Sequence, residues 1–202
     1  MPVSITTKQI GYGLQSRVFL SEDGKSVRKI SRFDPCSRLG LAFLRSYAIG
    51  IARIPEQMPK TSVVGNTIFQ ERVELFDGLI RTLPGQRDAH QVKGHLDDFI
   101  AVNRRLWEKG LTLSFDARFL NFGYRKGEES NPLVLDAGRL DDKLTVWNAL
   151  GVLTAHAFNF SHLAKLDLLR PIESLDLALY YAGQVWREMN LLNYVRLLGS
   201  RG

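Results

Sequence analysis

The sequence predicts an α+β fold in which strands are grouped mainly in the first third of the chain and helices dominate the rest. Residues 9–32 and 61–73 alternate apolar and polar side chains around turns that contain glycine, a pattern typical of antiparallel hairpins. Apolar residues recur at helical spacing in four stretches, 36–54, 88–109, 144–166 and 174–198. Strands kept apart from most helices, rather than alternating with them, favour the α+β class.

Length and composition predict one compact unit. The chain has 202 residues, 45% of them hydrophobic, which is enough for a sizeable core. We expect a smaller lobe over about residues 1–72 and a larger lobe over about residues 79–202. No apolar run approaches membrane-spanning length and no secretory signal is evident, so we expect a cytosolic protein without a membrane partner. The single cysteine, Cys36, excludes an intramolecular disulfide and argues against a cysteine-based zinc site.

The excess positive charge lies in the first third of the chain. Residues 1–72 carry 11 Lys and Arg against 5 Asp and Glu, whereas residues 73–202 carry 16 of each. A basic region attracts nucleotide phosphates, an acidic protein or nucleic acid through its long-range field. Solubility alone explains the same charge equally well.

A glycine-containing loop and a strand lysine predict a phosphate-binding site. The loop reads Gly11-x-Gly13-x-x-Ser16-x-Val18, and glycines let backbone N–H groups approach phosphate oxygens without a Cβ in the way. Ser16 stands where a third glycine is common. Lys29 follows inside the next predicted strand, where its ammonium group would lie over the α- and β-phosphates.

The second predicted hairpin, residues 61–73, leads into a connector. We expect the backbone around Glu71 to Val73 to hydrogen-bond the edge of an adenine base. Val18 and Leu135 would then form apolar walls on either side of that base.

Two carboxylates and a carboxamide lie on consecutive predicted loops. Asp116 and Asn121 form a D-x-x-x-x-N pattern, and Asp136 ends an apolar run and opens a D-x-G pattern. Oxygen groups of this kind suit Mg²⁺ bound with phosphate. We predict Asn121 and Asp136 as metal ligands and Asp116 as the proton acceptor for a hydroxyl group. Arg118 is predicted to stabilise the transferring phosphoryl group.

The segments around these loops have simpler interpretations. Residues 119–122 and 133–135 predict a pair of strands, and only residues 139–143 precede the next helical stretch. Thr145 is expected to cap that helix rather than to serve as a switch. His156 and His162 are not at metal-ligand spacing with any carboxylate, so we interpret them as packing or surface histidines.

In chain order these features resemble those of protein kinases over about residues 9–166. The compact size, the Gly-Tyr-Gly loop and the short C-terminal part are most similar to the minimal bacterial type III effector protein kinases of the HopBF family. That resemblance implies a minimal two-lobed protein-kinase-like fold, with a small β-rich N-lobe and a truncated, mostly helical C-lobe. It also implies an ATP- and Mg²⁺-dependent serine/threonine protein kinase in which Lys29, Asp116 and Arg118 have catalytic roles.

The same resemblance implies a cellular setting. HopBF-type kinases are secreted by a type III system into the host cell cytosol, where they phosphorylate and inactivate the host's large, HSP90-type heat-shock chaperone. We therefore expect a nucleotide and a host protein as partners and do not expect nucleic acid.

The sequence departs from the kinase pattern at two points. The helix over residues 36–54 contains no acid, although in kinases this helix usually supplies a glutamate that pairs with the strand lysine. Either Glu56 reaches Lys29 from a loop, or Lys29 is held by Asp136 and the phosphates alone. In addition, Phe115 stands where kinases carry the arginine that docks a phosphorylated loop.

Two other classes of function remain open. One is a small-molecule kinase of the aminoglycoside or sugar type, which shares the aspartate loops but usually devotes extra C-terminal helices to its acceptor. The other is a nucleotide-binding pseudokinase, which the missing helix glutamate favours and the joint presence of Lys29, Asp116, Asn121 and Asp136 argues against.

Overall fold

The structure is a computed structural model that describes residues 8–12, 15–82, 89–128, 130–143, 145–165, 171–189, 192–193 and 195–196. Gly13 of the predicted glycine loop lies outside these ranges. Within them the chain is a mixed α+β structure with a five-stranded sheet, a three-stranded sheet and five α-helices. The predicted α+β class is confirmed.

The larger sheet consists of the two groups of strands that the sequence predicts. Its members are β1 (Gln9–Tyr12), β2 (Ser16–Leu20), β3 (Ser26–Ser31), β4 (Thr61–Val64) and β5 (Thr67–Glu71). The spatial order is β1-β2-β3-β5-β4, and all neighbouring strands are antiparallel. Strand β3 is therefore central, and Lys29 lies in it between Val18 of β2 and Ile68 of β5.

Helix α1 (Arg38–Arg53) confirms the helix predicted over residues 36–54. The Ser37 side chain caps it by accepting a hydrogen bond from a backbone N–H of the first turn at 3.1 Å. It ends just before Pro55, because the residue that precedes a proline disfavours the helical conformation. Its buried face includes Tyr47, whose side chain is fully buried. We refer to β1–β5 with α1 as the sheet region.

A short helix that was not predicted from the sequence follows the connector. Strand β6 (Glu74–Leu75) leads directly into α2 (Phe76–Thr82), which is too short for apolar periodicity to reveal. Phe76 is fully buried, and its ring stacks on Phe119 and Tyr124 with centroids 5.1 and 5.5 Å away. Tertiary packing rather than intrinsic propensity therefore stabilises this helix.

The three later helices are those that the sequence predicts. They are α3 (Ala89–Glu108), α4 (Val146–Ala164) and α5 (Pro171–Glu188). Thr145 caps α4 by accepting a hydrogen bond from the Asn148 N–H at 3.1 Å, as expected. Helix α5 begins at Pro171 rather than at Ser174, because proline is well suited to the first turn of a helix.

The segment between α3 and α4 corrects one prediction. The expected strand over residues 119–122 is instead a 3-10 helix (Phe119–Asn121) followed by β7 (Phe122–Tyr124). Strand β7 pairs with β6 and with β8 (Leu133–Val134) in the smaller sheet. A 3-10 turn eclipses residues three positions apart, so Phe119 and Phe122 are buried on one side, whereas a strand would place them on opposite faces.

Aromatic rings form the centre of the remainder, which we call the helical region (α2–α5 with the loops and small sheet between them). Neighbouring rings in the cluster lie 4.9 to 5.5 Å apart; the cluster comprises Phe76, Phe99, Phe119, Tyr124 and Tyr181. Phe119 belongs both to this cluster and to the polar loop, so core packing positions that loop. Among the described residues, no helix has the length and apolar character needed to span a membrane.

Candidate active site

The Asp116 loop lies directly on helix α4. A 3-10 helix (Ser114–Asp116) begins the loop, and Ser114 has a φ of 42°, a left-handed conformation that is costly for a residue with a side chain. Gly151 of α4 faces this turn: a Cβ there would clash with Ser114 Oγ and lie 3.2 Å from the Phe115 ring. The glycine thus permits the close approach that holds the strained turn in place.

A buried, uncharged network fixes the remainder of the loop. Asn159 Oδ1 accepts a hydrogen bond from the Phe119 N–H at 3.1 Å, and Asn159 Nδ2 donates to the Ala117 carbonyl and to Tyr181 Oη, each at 3.0 Å. Tyr181 Oη also lies 2.5 Å from Nδ1 of His156. Burial lowers the pKa of His156 to about 3, so the imidazole is neutral and its Nδ1 accepts a hydrogen bond from the Tyr181 hydroxyl group. The interpretation of His156 as a packing histidine is confirmed.

Asp116 is a partly buried carboxylate with properties suited to a general base. Its side chain is 21% exposed, and Arg139 Nε lies 3.4 Å from Oδ2. Burial raises the pKa of the Asp116 carboxyl to about 6; Arg139 opposes this rise, Asp136 adds to it and Arg118 opposes it. A carboxylate with a pKa near the working pH is well placed to accept a proton.

Two arginines approach Asp116 in different ways. The Arg118 guanidinium carbon lies 4.6 Å from the centre of the Phe158 ring of α4, so this side chain stacks on the helical region. Arg139, which pairs with Asp116, was missed by the sequence reading. Its position directly after Asp136-Ala-Gly138 is the only signal in the sequence that could have suggested it.

Backbone hydrogen bonds join the loops that carry Asn121 and Asp136. Asn121 Nδ2 donates to the Asp116 carbonyl at 2.9 Å, and the Asn121 carbonyl accepts from the N–H of Leu135 at 2.8 Å and from that of Asp136 at 3.4 Å. Asp136 Oδ1 accepts the Gly138 N–H at 3.1 Å. The structure therefore places both predicted metal ligands on touching backbone segments beside Asp116.

The chemistry of this donor set fits Mg²⁺. Because Asn121 donates through its amide nitrogen, the amide oxygen is the atom that can face a cation, and Asp136 adds a carboxylate. Among the described residues no cluster of three or more His, Cys, Asp or Glu side chains forms a metal site. One carboxylate and one amide suffice only where phosphate oxygens and water complete the shell, which is how Mg²⁺ is usually held at nucleotide sites.

Lys29 reaches across from the sheet region to the same place. Its side chain is 7% exposed, and Nζ donates to the Leu135 carbonyl at 2.6 Å and to Tyr47 Oη at 3.2 Å. Tyr47 Oη in turn donates to Asp136 Oδ1 at 3.1 Å. Burial lowers the pKa of Lys29, and the nearby charge of Asp136 opposes that effect.

Glu56 is not the partner of Lys29. Its carboxylate pairs with Lys109 Nζ at 2.5 Å, on the far side of the turn that ends α1. The alternative in which Glu56 reaches Lys29 is therefore wrong. The other alternative was incomplete, because the sequence offered no sign that Tyr47 contacts both Lys29 and Asp136.

The structure shows the neighbours of the apolar side chains predicted to line an adenine site. Val18 lies directly opposite Lys29 in the sheet. Val73 Cγ2 and Leu135 Cδ1 approach the same face of Gly123, 3.0 and 3.1 Å from where a Cβ would stand. The arrangement of these side chains as walls of an adenine site stays a prediction.

The two connector residues differ in their backbone. The Glu71 N–H donates to the Lys60 carbonyl at 2.9 Å, and the Glu71 carboxylate pairs with Arg125 at 3.2 Å. Val73 lies beyond the end of β5; within the described part of the chain, no backbone hydrogen bond is recorded for it. Of the two, Val73 is the better placed to meet a base edge.

The glycine loop is described in part. A Cβ at Gly11 would meet only the Val18 side chain, at ordinary contact distance, 3.4 Å. Ser16 is buried opposite Ser31, so its side chain faces the protein and any phosphate contact is left to its backbone. Gln15 lies against the D-x-G loop, because a Cβ at Gly138 would clash with Gln15 Oε1. The loop thus reaches the Asp136 segment directly.

No family model matches this chain, and no curated protein matches it either. In the described part of the chain, Lys29, Asp116, Asn121 and Asp136 lie close together.

Proposed function

We propose that this protein transfers the γ-phosphoryl group of ATP, with Mg²⁺, to the hydroxyl group of a protein serine or threonine. The observation that carries the proposal is the convergence of a buried cation and three oxygen-bearing side chains from separate parts of the chain. Lys29 and Asp136 meet through Tyr47 at 3.2 and 3.1 Å, and Asn121 joins Asp136 to Asp116. Phosphoryl transfer requires this combination of positioning and charge stabilisation.

Each side chain has a defined part in the proposed reaction. Lys29 would bind the α- and β-phosphates, and Asn121 and Asp136 would hold the metal ion. Bound Mg²⁺ would neutralise charge on the β- and γ-phosphates. The acceptor oxygen forms a bond to the γ-phosphorus while the bond to the β-phosphate oxygen breaks, ADP leaves, and Asp116 accepts the hydroxyl proton.

Exposed apolar side chains beside Asp116 support a protein acceptor. Phe115, the residue before Asp116, is 44% exposed, and Trp147, one helical turn before Gly151 on α4, is 78% exposed. Apolar surface exposed next to a site suits contact with a protein acceptor. By the HopBF resemblance, that acceptor is an HSP90-type chaperone of a host cell that the protein reaches by type III secretion.

Transfer of radiolabelled phosphate tests the function directly. Purified protein is incubated with Mg²⁺, γ-labelled ATP and a eukaryotic lysate, and macromolecules are separated from small molecules. The proposal expects labelled protein bands that disappear with Asp136→Ala. Asp142→Ala is the matched control, because among the described residues the ion-pair partner of Asp142 is the exposed Arg45, at 3.2 Å. A labelled small molecule would instead indicate an aminoglycoside-type enzyme, and nucleotide binding without transfer would indicate a pseudokinase.

A further inference from the structure

Tyr47 occupies the space between Lys29 and Asp136. It lies on the buried face of α1, and its side chain has no exposed surface. Its ring packs against Phe43 of the same helix with centroids 5.2 Å apart. The ring therefore has a structural reason to be in the core, but the core does not explain the position of its hydroxyl group.

The hydroxyl group links two charged side chains from different regions. It accepts a hydrogen bond from Lys29 Nζ at 3.2 Å and donates to Asp136 Oδ1 at 3.1 Å. Among the described residues, no carboxylate oxygen lies within ion-pair distance of Lys29 Nζ, and the other recorded acceptor is the Leu135 carbonyl. Among the described residues, the hydrogen-bonded path from Lys29 to Asp136 thus runs through the phenol.

We propose that Tyr47 is a positioning residue of the phosphoryl-transfer site and that its hydroxyl group orients Lys29 and Asp136. In kinases a glutamate of the corresponding helix pairs with the lysine, and α1 contains no acidic side chain. This inference rests on the proposed function. A phenol turns about two side-chain torsions and a glutamate about three, so the packed ring holds its hydroxyl group with little loss of conformational entropy.

A neutral bridge also changes the charge of the site. The Tyr47 hydroxyl group donates its hydrogen to Asp136 Oδ1 at 3.1 Å, and a phenol is uncharged at neutral pH. An acid at this place would add a second negative charge beside Asp136. With tyrosine at this position, no second carboxylate is added beside Lys29. Less of the positive charge of Lys29 is then offset by acidic groups than it would be with a glutamate, so the lysine attracts phosphate more strongly. The site is thereby suited to a polyphosphate ligand.

Tyr47→Phe removes the hydroxyl group and keeps the packed ring. We expect kcat/KM for ATP to fall about ten- to hundredfold, which corresponds to the loss of a hydrogen bond to a charged group. KM for ATP and the Mg²⁺ concentration for half-maximal rate should both rise. A merely structural role would lower kcat through the folded fraction and leave both of these quantities unchanged.

Tyr180→Phe is the matched control. Tyr180 Oη also donates to a carboxylate, Asp97 Oδ2 at 2.7 Å, but does so on the surface between α5 and α3. This variant should keep wild-type kinetics. A thermal unfolding curve for each variant shows whether the folded fraction is equal at the assay temperature.

Chemical labelling provides a readout that does not depend on activity. The rate at which an amine-reactive acylating reagent labels Lys29, followed by mass spectrometry across pH, should change in Tyr47→Phe and stay unchanged in Tyr180→Phe. Wild-type protein that neither binds nor turns over ATP would refute the proposed function. Active wild-type protein whose Tyr47→Phe variant matches it in kcat, KM, Mg²⁺ dependence and Lys29 labelling, while Lys29→Met is inactive, would overturn the positioning role alone.

Discussion

The sheet region and the helical region each bury one tyrosine at the site, and the hydroxyl groups of these two tyrosines have different kinds of hydrogen-bond partner. Tyr47 and Tyr181 are 0% and 1% exposed. The partners of Tyr47 are the charged groups Lys29 and Asp136, whereas those of Tyr181 are the neutral groups Asn159 and His156. Tyr47 thus contacts groups with a proposed role in phosphoryl transfer, whereas Tyr181 belongs to a neutral network that stabilises the fold.

This difference indicates that the neutral network and the charged groups contribute differently to the site. The neutral groups around Asn159 bond to one another and to the Asp116 loop without any ligand, so the helical region can hold that loop in one geometry. The charged groups that contact Tyr47 would interact strongly with the proposed phosphate and metal, so their arrangement would respond to those ligands. Substitutions in the two regions should therefore separate effects on activity from effects on stability.

The largest effect is expected at Asp116, the proposed proton acceptor. Asp116→Asn removes the proton acceptor and keeps the size of the side chain, so kcat should fall about hundredfold or more. KM for ATP should change little, because in the proposed reaction Asp116 would face the acceptor rather than the nucleotide. Steady-state kinetics with a phosphorylatable protein measure both quantities. Equal losses in kcat and ATP affinity would assign Asp116 a structural role.

Removal of the neutral network should appear first as a loss of stability. Asn159→Ala leaves the Phe119 N–H and the Ala117 carbonyl without their buried partner, and each unsatisfied group costs about 1–3 kcal/mol. We expect the free energy of unfolding, measured with urea, to fall by about 2–4 kcal/mol. Asn148→Ala, at the exposed start of α4, is the control. If both variants unfold alike, the network does not anchor the loop.

The pH dependence of the free energy of unfolding should reflect the protonation of His156. Its pKa is about 3 in the folded protein, against 6.5 as the ordinary value, so between these values the unfolded chain binds a proton that the native protein does not. Stability from this residue is complete above pH 6.5 and decreases as pH falls toward 3. The groups that face the ring are Tyr181 and Phe99. Denaturant midpoints of wild type and His156→Gln between pH 4 and 8 should converge at the acidic end.

The smallest effect is a shift of the activity profile. Since a base acts in its ionised form, kcat/KM should rise with pH through about 6, the pKa of Asp116. Arg139 favours the ionised carboxylate more strongly than Arg118 does, and Asp136 opposes both. Arg139→Ala should therefore move the acidic limb to higher pH, and Arg118→Ala should move it less. The reverse order would show that Arg118 leaves Phe158 and faces the base during turnover.

Local patterns in the sequence determined most of the secondary structure. Alternation and glycine turns predicted β1–β5, and helical spacing predicted α1, α3, α4 and α5, because these signals depend only on residues close together in the chain. The order of Asp116, Asn121 and Asp136 along the chain was enough to select them as a group. The short helix α2 and the 3-10 turns were missed, because a turn or two of chain takes its conformation from the core around it.

Tertiary structure alone decided which side chains surround those groups. Lys29 meets Leu135 and Tyr47, and Asn159 meets Ala117 and Phe119, although nothing in their spacing links them. A tyrosine or asparagine in an apolar helix is equally compatible with simple packing until the opposite surface is known. The sequence could name the groups that carry charge, since charge is a property of the residue. The neutral partners that orient those groups are chosen by shape and distance, which exist only in the folded chain.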